Sequence, residues 1–213
     1  MVIKIITDFC RKLYWDIFGT RKHLKIGFYG PPNAGKTSLA NRICKDWMGE
    51  ELGKVSKIPH ETREVQIKEK VEMTNKGRKL VFKVIDTPGI ATKIDYENFI
   101  KFDLSKKESK IRAKEATKGI IEAIKWLDDV DAVIVVLDAT QNPFSQVNIT
   151  IIGNLVARKI PVLIAANKID LEKANVKRIE SAFPEYKVIG LSAKEGSNIE
   201  EFYDSLFKLS RKV

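Results

Sequence analysis

The chain has 213 residues, a length that suits one large domain or one domain with an appendage. Its residues are 44% apolar and 31% charged, which is the balance of a globular protein rather than a disordered one. The longest unbroken apolar run, residues 132–137, is far shorter than the roughly 20 residues of a membrane-spanning helix, and the N-terminus does not read as a secretory signal. Because only two cysteines occur, we exclude a disulfide framework and expect a reduced, cytoplasmic protein.

The net charge of +10 is concentrated in two segments. Residues 1–25 carry six basic and two acidic side chains, and residues 101–118 carry seven basic and three acidic ones, so each segment has a net charge of +4. An anionic partner would meet one of these segments, unless both are simply solvated faces.

The N-terminal residues 1–23 predict an amphipathic helix that lies outside the main domain. Apolar residues recur at steps of three and four, and Gly19 follows as a C-cap. Three interpretations stay open: the apolar stripe packs on the domain, it docks on a membrane surface, or it contacts a partner or a second copy of the chain. The stripe consists of Ile3, Ile6, Cys10, Leu13 and Ile17.

From Leu24 to Val213, short apolar strands alternate with amphipathic helices, which predicts an α/β domain with a mostly parallel six-stranded sheet and helices on both faces. A turn at 75–77 predicts one antiparallel edge strand. The predicted strands are 24–29, 65–73, 80–85, 132–137, 162–166 and 187–191, and the predicted helices are 36–47, 109–127, 145–157, 172–182 and 199–209.

A phosphate-binding loop follows the first predicted strand. Residues 30–37 fit the pattern G-x-x-x-x-G-K-[ST], in which glycines let the backbone wrap a polyphosphate. Lys36 is placed to bridge the β- and γ-phosphates, and the Thr37 hydroxyl is placed to bind Mg²⁺. The nucleotide-binding candidates here are Gly30, Pro31, Pro32, Asn33, Ala34, Gly35, Lys36, Thr37 and Ser38.

Three further motifs each follow a predicted strand. Asp86 begins Asp-Thr-Pro-Gly, which places a carboxylate near Mg²⁺ and the Gly89 N–H near a γ-phosphate. Asp170 ends Asn-Lys-Ile-Asp, and its carboxylate can accept two hydrogen bonds from guanine, which adenine does not offer. In the last motif, the Ala193 N–H is assigned to guanine O6 and Lys194 to the base. The base-binding candidates are Asn167, Lys168, Asp170, Ser192, Ala193 and Lys194.

With these four motifs in this order, residues 24–210 resemble the GTPase domain of Era- and Der-like proteins. The resemblance implies a P-loop fold, GTP or GDP with Mg²⁺ as ligands, and a threonine that closes over the metal and the γ-phosphate. Thr62 is the candidate for that threonine, so the implied catalytic residues are Lys36, Thr62 and Gly89 and the implied magnesium site is Thr37, Thr62 and Asp86. The KH domain of Era is not expected here, because the sequence ends after the last predicted helix.

Two departures concern hydrolysis. Ile90 stands where some GTPases carry a glutamine that orients the attacking water, so we expect slow intrinsic hydrolysis. In potassium-stimulated relatives, an asparagine at the position of Asn33 binds a monovalent cation, which makes Asn33 a candidate K⁺ ligand. The alternative is that Asn33 only stabilises the loop.

We therefore expect a GTP-hydrolysing switch, with a protein or ribonucleoprotein partner that distinguishes its nucleotide states and with no DNA partner. A role in ribosome or RNA-particle assembly is favoured over membrane-associated signalling. The alternatives are an adaptor with negligible hydrolysis and a P-loop kinase or ATPase, which the Asn167–Asp170 loop disfavours.

Overall fold

The computed structural model describes residues 24–53, 62, 64–75, 77–91 and 105–213. Within these ranges the chain forms six strands and five helices. The strands are β1 (Leu24–Tyr29), β2 (Gln66–Asn75), β3 (Arg78–Asp86), β4 (Ala132–Asp138), β5 (Val162–Asn167) and β6 (Lys187–Leu191), and the helices are α1 (Lys36–Met48), α2 (Lys106–Trp126), α3 (Gln146–Arg158), α4 (Val176–Ala182) and α5 (Ile199–Leu209).

The strands form one sheet in the order β2-β3-β1-β4-β5-β6. β2 pairs antiparallel with β3, and every other pairing is parallel. The predicted mostly parallel sheet with one antiparallel edge strand is confirmed. Because parallel strands end at the same edge of a sheet, the segments that follow β1, β3, β4, β5 and β6 lie side by side.

Two apolar layers cover the sheet, one on each face. On β4, Ile134 and Val136 point into the layer beneath α1 and α5, whereas Val133 and Val135 point into the layer beneath α2, α3 and α4. All four side chains are fully buried, which explains why this central strand reads as an unbroken apolar run. The predicted placement of helices on both faces is thereby confirmed.

Helix boundaries differ from prediction where a capping side chain decides them. α2 begins three residues before the predicted Ser109, because Ser105 and Glu108 form a capping box at its N-terminus. α4 begins at Val176 rather than at Glu172, because the Asn175 side chain accepts a hydrogen bond from the Arg178 N–H.

The predicted helix over residues 1–23 lies outside the described residues, so its three interpretations are untested. Within the part of the chain that is described, no helix is long and apolar enough to cross a membrane.

Candidate functional site

The two glycines of the phosphate loop are required by close contacts. A Cβ atom on Gly30 would lie 2.2 Å from the carbonyl oxygen of Val136, and one on Gly35 would lie 2.1 Å from Nδ2 of Asn167. Gly35 also has φ at +95°, in the left-handed region that glycine tolerates best. Any larger residue at either position would therefore push the loop away from the neighbouring strand ends.

The loop's own carbonyl groups hold the Lys36 ammonium in place. Lys36 is the first residue of α1, and its Nζ donates hydrogen bonds to the carbonyl oxygens of Pro31 at 2.9 Å and Gly30 at 3.2 Å. Burial disfavours the charged form and lowers the pKa of Lys36 to about 8, although Asp86 opposes the shift. A buried, positively charged group thus lies against the phosphate loop, where it would attract an anion.

The three predicted metal ligands come together beside this loop. The Thr37 hydroxyl donates to Oδ2 of Asp86 at 2.6 Å, and Oγ1 of Thr62 lies 3.0 Å from Oγ1 of Thr37. Asp86 is fully buried, and burial raises its pKa to about 6 against the opposing effects of Thr37 and Lys36. Its Oδ1 atom is also buried and has no hydrogen-bond partner among the described residues.

This donor set fits Mg²⁺. Two hydroxyl oxygens and a carboxylate are hard ligands of the kind that Mg²⁺ accepts in nucleotide sites. A fully buried carboxylate with one unpaired oxygen is also costly unless a cation or proton compensates it. Thr37, Thr62 and Asp86 are therefore the residues that would hold the ion.

The Asp-Thr-Pro-Gly segment packs directly on the phosphate loop. A Cβ atom on Gly89 would lie 2.8 Å from Cα of Pro32, and the Ile90 N–H donates to the carbonyl oxygen of Gly30 at 3.1 Å. The Ile90 side chain is buried in the layer beneath α2 and α3. No polar side chain is thus available at position 90 to orient a water molecule, as the sequence predicted.

Asn33 lies at the exposed tip of the phosphate loop. Its backbone has φ at +60°, a left-handed conformation that asparagine adopts more readily than most residues. This conformation is compatible both with cation binding by the side-chain amide and with a purely local role in the turn. The proposed potassium ligand is untested.

Asn167 connects the phosphate loop to the last predicted base-binding loop. Its Nδ2 donates to the carbonyl oxygen of Ala34 at 2.9 Å, and its Oδ1 accepts from the Ala193 N–H at 3.0 Å. The Ala193 N–H is the predicted donor to guanine O6, but in this structure that N–H is already bonded to Asn167. The buried Asn167 amide thus holds the two loops together through these two bonds.

The next residue, Lys168, forms an ion pair that sequence reasoning missed. Its Nζ lies 2.7 Å from Oδ2 of Asp138, the last residue of β4. Burial disfavours the charged carboxylate of Asp138, but hydrogen bonds from Lys168 and Thr140 outweigh that effect and hold the pKa of Asp138 below its usual value. Lys168 itself has φ at +70°, so this ion pair fixes the side chain of a residue in an unusual backbone conformation. The Asp170 carboxylate, two residues on, is exposed.

The loop after β6 is held from beneath by α1. Ser192 is fully buried and its hydroxyl accepts a hydrogen bond from the Glu195 N–H at 3.1 Å. Arg42 of α1 donates to the carbonyl oxygens of Ala193 at 3.2 Å and Lys194 at 2.9 Å. The Lys194 side chain is 81% exposed and pairs with Glu195, so its predicted contact with the base would require it to leave that partner.

The sequence contained a cue for the contact of Asp138 but none for the contacts of Arg42. Asp138 follows the apolar run of β4 and ends that strand, as Asp86 ends β3, so its position at the carboxyl edge of the sheet was a cue in the sequence. Arg42 lies on α1 with no distinguishing pattern, and its contact spans 151 sequence positions to Ala193. Only the three-dimensional structure reveals a contact of that kind.

Comparison with known proteins identifies the family of this chain. The model of the 50S ribosome-binding GTPase family matches residues 25–168. GTPase Era of Borrelia turicatae is 31% identical over 195 residues, which cover 87% of this chain and 57% of that protein. GTPase Der of Kosmotoga olearia is 28% identical, and the match covers all of this chain and 44% of that protein.

Among solved structures, Era in complex with MgGDPNP and a fragment of 16S ribosomal RNA superposes with a TM-score of 0.66 at 20% identity, covering 88% of this chain and 57% of that one. At this identity the likeness establishes the fold. The chain thus spans about half the length of the curated relatives it matches. The four motifs, the fold and the family match agree, and the chain belongs to the 50S ribosome-binding GTPase family, with Era and Der among its homologues.

Proposed function

We propose that residues 24–213 bind guanine nucleotides, hydrolyse GTP to GDP and phosphate, and act as a molecular switch. The observation that carries this proposal is the convergence of Thr62 with Thr37 and Asp86. Thr62 is separated from Thr37 by 25 positions, yet the two hydroxyls are in hydrogen-bond contact. A threonine held there can respond to whether a metal-bound γ-phosphate is present, which is the difference between GTP and GDP.

The chain's own groups supply most of the chemistry that phosphoryl transfer needs. Such reactions are accelerated mainly by positioning and charge neutralisation. The Lys36 ammonium would neutralise phosphate oxygens, and the backbone N–H groups of residues 33–37 would orient them. Mg²⁺, when bound, adds further neutralisation of the β- and γ-phosphates. Thr62 and the segment at Gly89 would then bind only the nucleotide that carries a third phosphate.

Intrinsic hydrolysis is expected to be slow. The Ile90 side chain is buried, so it leaves no polar group at that position to orient the attacking water. This observation favours a second candidate, an adaptor in which the nucleotide state matters and turnover is negligible. A K⁺ ion bound at Asn33 would add charge neutralisation and so offset part of this deficit, and we include such stimulation in the proposal.

The partner is proposed from chemistry and from the relatives. The segment 105–118, within the basic stretch found in the sequence, carries six basic and two acidic residues, which suits an anionic surface. An Era structure similar to this one holds a 16S ribosomal RNA fragment. We propose a ribonucleoprotein partner in ribosome assembly, and a cytoplasmic location in keeping with the buried free thiol of Cys44.

The test is single-turnover hydrolysis of GTP and ATP, combined with binding of GDP. The unaltered chain should hydrolyse GTP and bind GDP much more tightly than ADP. Thr62→Ala should leave GDP affinity nearly unchanged and slow hydrolysis, because its hydroxyl is needed only when the γ-phosphate is present. Tight GTP binding without hydrolysis, even with a partner extract, would favour the adaptor, and equal affinity for ADP would contradict the guanine assignment.

A further inference from the structure

Asn41 is a buried side chain on α1 whose polar atoms all bind one short stretch of backbone. It is only 7% exposed. Its Nδ2 donates to the carbonyl oxygen of Gly53 at 2.6 Å, and its Oδ1 accepts from the N–H groups of Leu52 at 2.8 Å and Gly53 at 2.9 Å. One amide thus forms three hydrogen bonds with two consecutive residues that lie outside the helix.

The bonded backbone is the start of the segment that ends at Thr62. Gly53 is followed by residues 54–61, and Thr62 contacts Thr37 through its hydroxyl. Thr37 and Asn41 are four positions apart, so they lie on the same face of α1, one turn from each other. Both ends of the segment between Gly53 and Thr62 are therefore attached to one helix face.

Gly53 is also confined on its other side. A Cβ atom there would lie 2.0 Å from Oε1 of Gln66, the first residue of β2. Gly53 therefore lies between the Asn41 side chain and the start of the strand that follows Thr62. Its lack of a side chain leaves room for the Gln66 side chain on that side.

The two attachments differ in what they depend on. The contact at Thr62 uses the same hydroxyls that would bind Mg²⁺, so under the proposed function the position of Thr62 responds to the nucleotide. The bonds of Asn41 involve only protein groups and do not. Fixing one end of a segment in advance lowers the conformational entropy lost when its other end is ordered.

We infer that Asn41 is a positioning residue for the GTP state: it fixes residues 52 and 53 so that Thr62 can engage Mg²⁺ and the γ-phosphate at a lower entropic cost. The inference rests on the proposed switch function. GDP, which has no γ-phosphate for Thr62 to engage, should be bound through the phosphate and base loops regardless of Asn41. The residue should thus affect the preference for GTP over GDP and the hydrolysis rate.

The test compares Asn41→Ala, Asn41→Asp and the control Asn148→Ala. Asn148 is a buried asparagine of α3 whose Nδ2 donates to the carbonyl oxygen of Pro143 at 3.0 Å, a bond that involves neither the phosphate loop nor a base loop. Asn41→Asp keeps an oxygen that accepts from residues 52 and 53, but it replaces the donor to Gly53 by a second carboxylate oxygen, which faces the Gly53 carbonyl oxygen. Affinities for MgGDPNP and for GDP, kcat and KM for GTP, and thermal stability are measured for each full chain.

Asn41→Ala should lower the affinity for MgGDPNP and kcat by about tenfold while GDP affinity changes by less than about twofold, as expected when bonds that position one state are lost. Asn41→Asp should also lower the GDPNP-to-GDP affinity ratio, because the bond to the Gly53 carbonyl oxygen is lost. Asn148→Ala should lower thermal stability without changing the GDPNP-to-GDP affinity ratio. Amide hydrogen exchange at Leu52 and Gly53 should accelerate in Asn41→Ala even with GDP bound.

An equal loss of GDPNP and GDP affinity in Asn41→Ala, or the same change of ratio in Asn148→Ala, would overturn the inference and leave Asn41 as a structural residue. If Asn41→Ala does not fold, a GDPNP-to-GDP ratio in Asn41→Asp equal to that of the unaltered chain would overturn it as well. The proposed function fails separately, if the unaltered chain neither binds GDPNP nor hydrolyses GTP.

Discussion

The side-chain amide of Asn167 donates a hydrogen bond to the carbonyl oxygen of Ala34 at 2.9 Å, across 133 positions of the sequence. This bond joins the loop after β5 to the loop that wraps the phosphates. Since the same side chain also accepts from Ala193, the phosphate loop and two base-binding loops are fixed relative to one another by one buried residue. If these loops bind the phosphates and the base as proposed, the two recognition events are coupled through Asn167.

The first prediction concerns this coupling. Asn167→Ala should weaken GTP and GDP binding alike, by about tenfold or more, because both nucleotides use the same loops. It should also destabilise the chain by about 1–3 kcal/mol, since the Ala34 carbonyl and the Ala193 N–H lose a buried partner. Nucleotide titration and chemical denaturation measure the two effects. The control Asn148→Ala should lower stability and leave nucleotide affinity unchanged. A loss of GTP affinity without a loss of GDP affinity in Asn167→Ala would contradict the coupling.

The second prediction tests guanine selection by Asp170. The carboxylate is exposed, so Asp170→Asn should leave thermal stability unchanged. It replaces one acceptor oxygen by a donor, which should reduce GDP affinity by about 2 kcal/mol and shift the preference toward xanthosine diphosphate. Competition among GDP, XDP and ADP measures the change. Unchanged GDP affinity would remove Asp170 from the base site.

The third prediction uses the ion pair between Asp138 and Lys168. The pKa of Asp138 in the folded chain is below the usual value of about 4, so at acid pH its carboxylate binds fewer protons in the folded chain than in the unfolded chain. Its stabilisation is therefore fully present above about pH 4 and is lost as the pH falls further. Asp138→Asn should lower the free energy of unfolding by about 1–2 kcal/mol at pH 7, and the difference should shrink toward pH 3.

Denaturation of the nucleotide-free chain at several pH values measures this effect. Asp129→Asn is the control, because Asp129 is 65% exposed and its pair with Lys25 at 3.3 Å should contribute little. A constant difference between Asp138→Asn and the unaltered chain from pH 7 to pH 3 would mean that the ion pair does not hold the carboxylate ionised.

The sequence was sufficient for the parts of the site that depend on local pattern. The strand β1, the helix α5 and the central strand β4 were found to within one residue, because apolar runs and amphipathic periodicity are direct consequences of burial. The phosphate loop followed from its spacing. Thr62 came from elimination within the family pattern, and the structure brings its hydroxyl to Thr37.

What the sequence missed depends on contacts between distant segments. The bonds of Asn167 to Ala34 and of Arg42 to Ala193 join segments more than 130 residues apart, and no local pattern in the sequence links the members of either pair. The true start of α2 was missed for a different reason, since the capping pair of Ser105 and Glu108 lies within a run of lysines. Capping chemistry, unlike periodicity, rests on two side chains only.

The last prediction is that K⁺ stimulates GTP hydrolysis through Asn33. An amide oxygen suits a hard, weakly charged cation, and a cation beside the phosphates would provide the neutralisation that an arginine finger gives in other GTPases. The buried Ile90 increases the need for such help. Hydrolysis should be faster in K⁺ than in Na⁺ or Cs⁺ at constant ionic strength, and Asn33→Ala should abolish the difference. Asn33→Asp, which keeps an oxygen and tolerates the left-handed backbone at φ +60°, should retain part of it. If Asn33 only stabilises the turn, Asn33→Ala will slow hydrolysis equally in all three salts, and equal rates of the unaltered chain in the three salts would refute potassium stimulation.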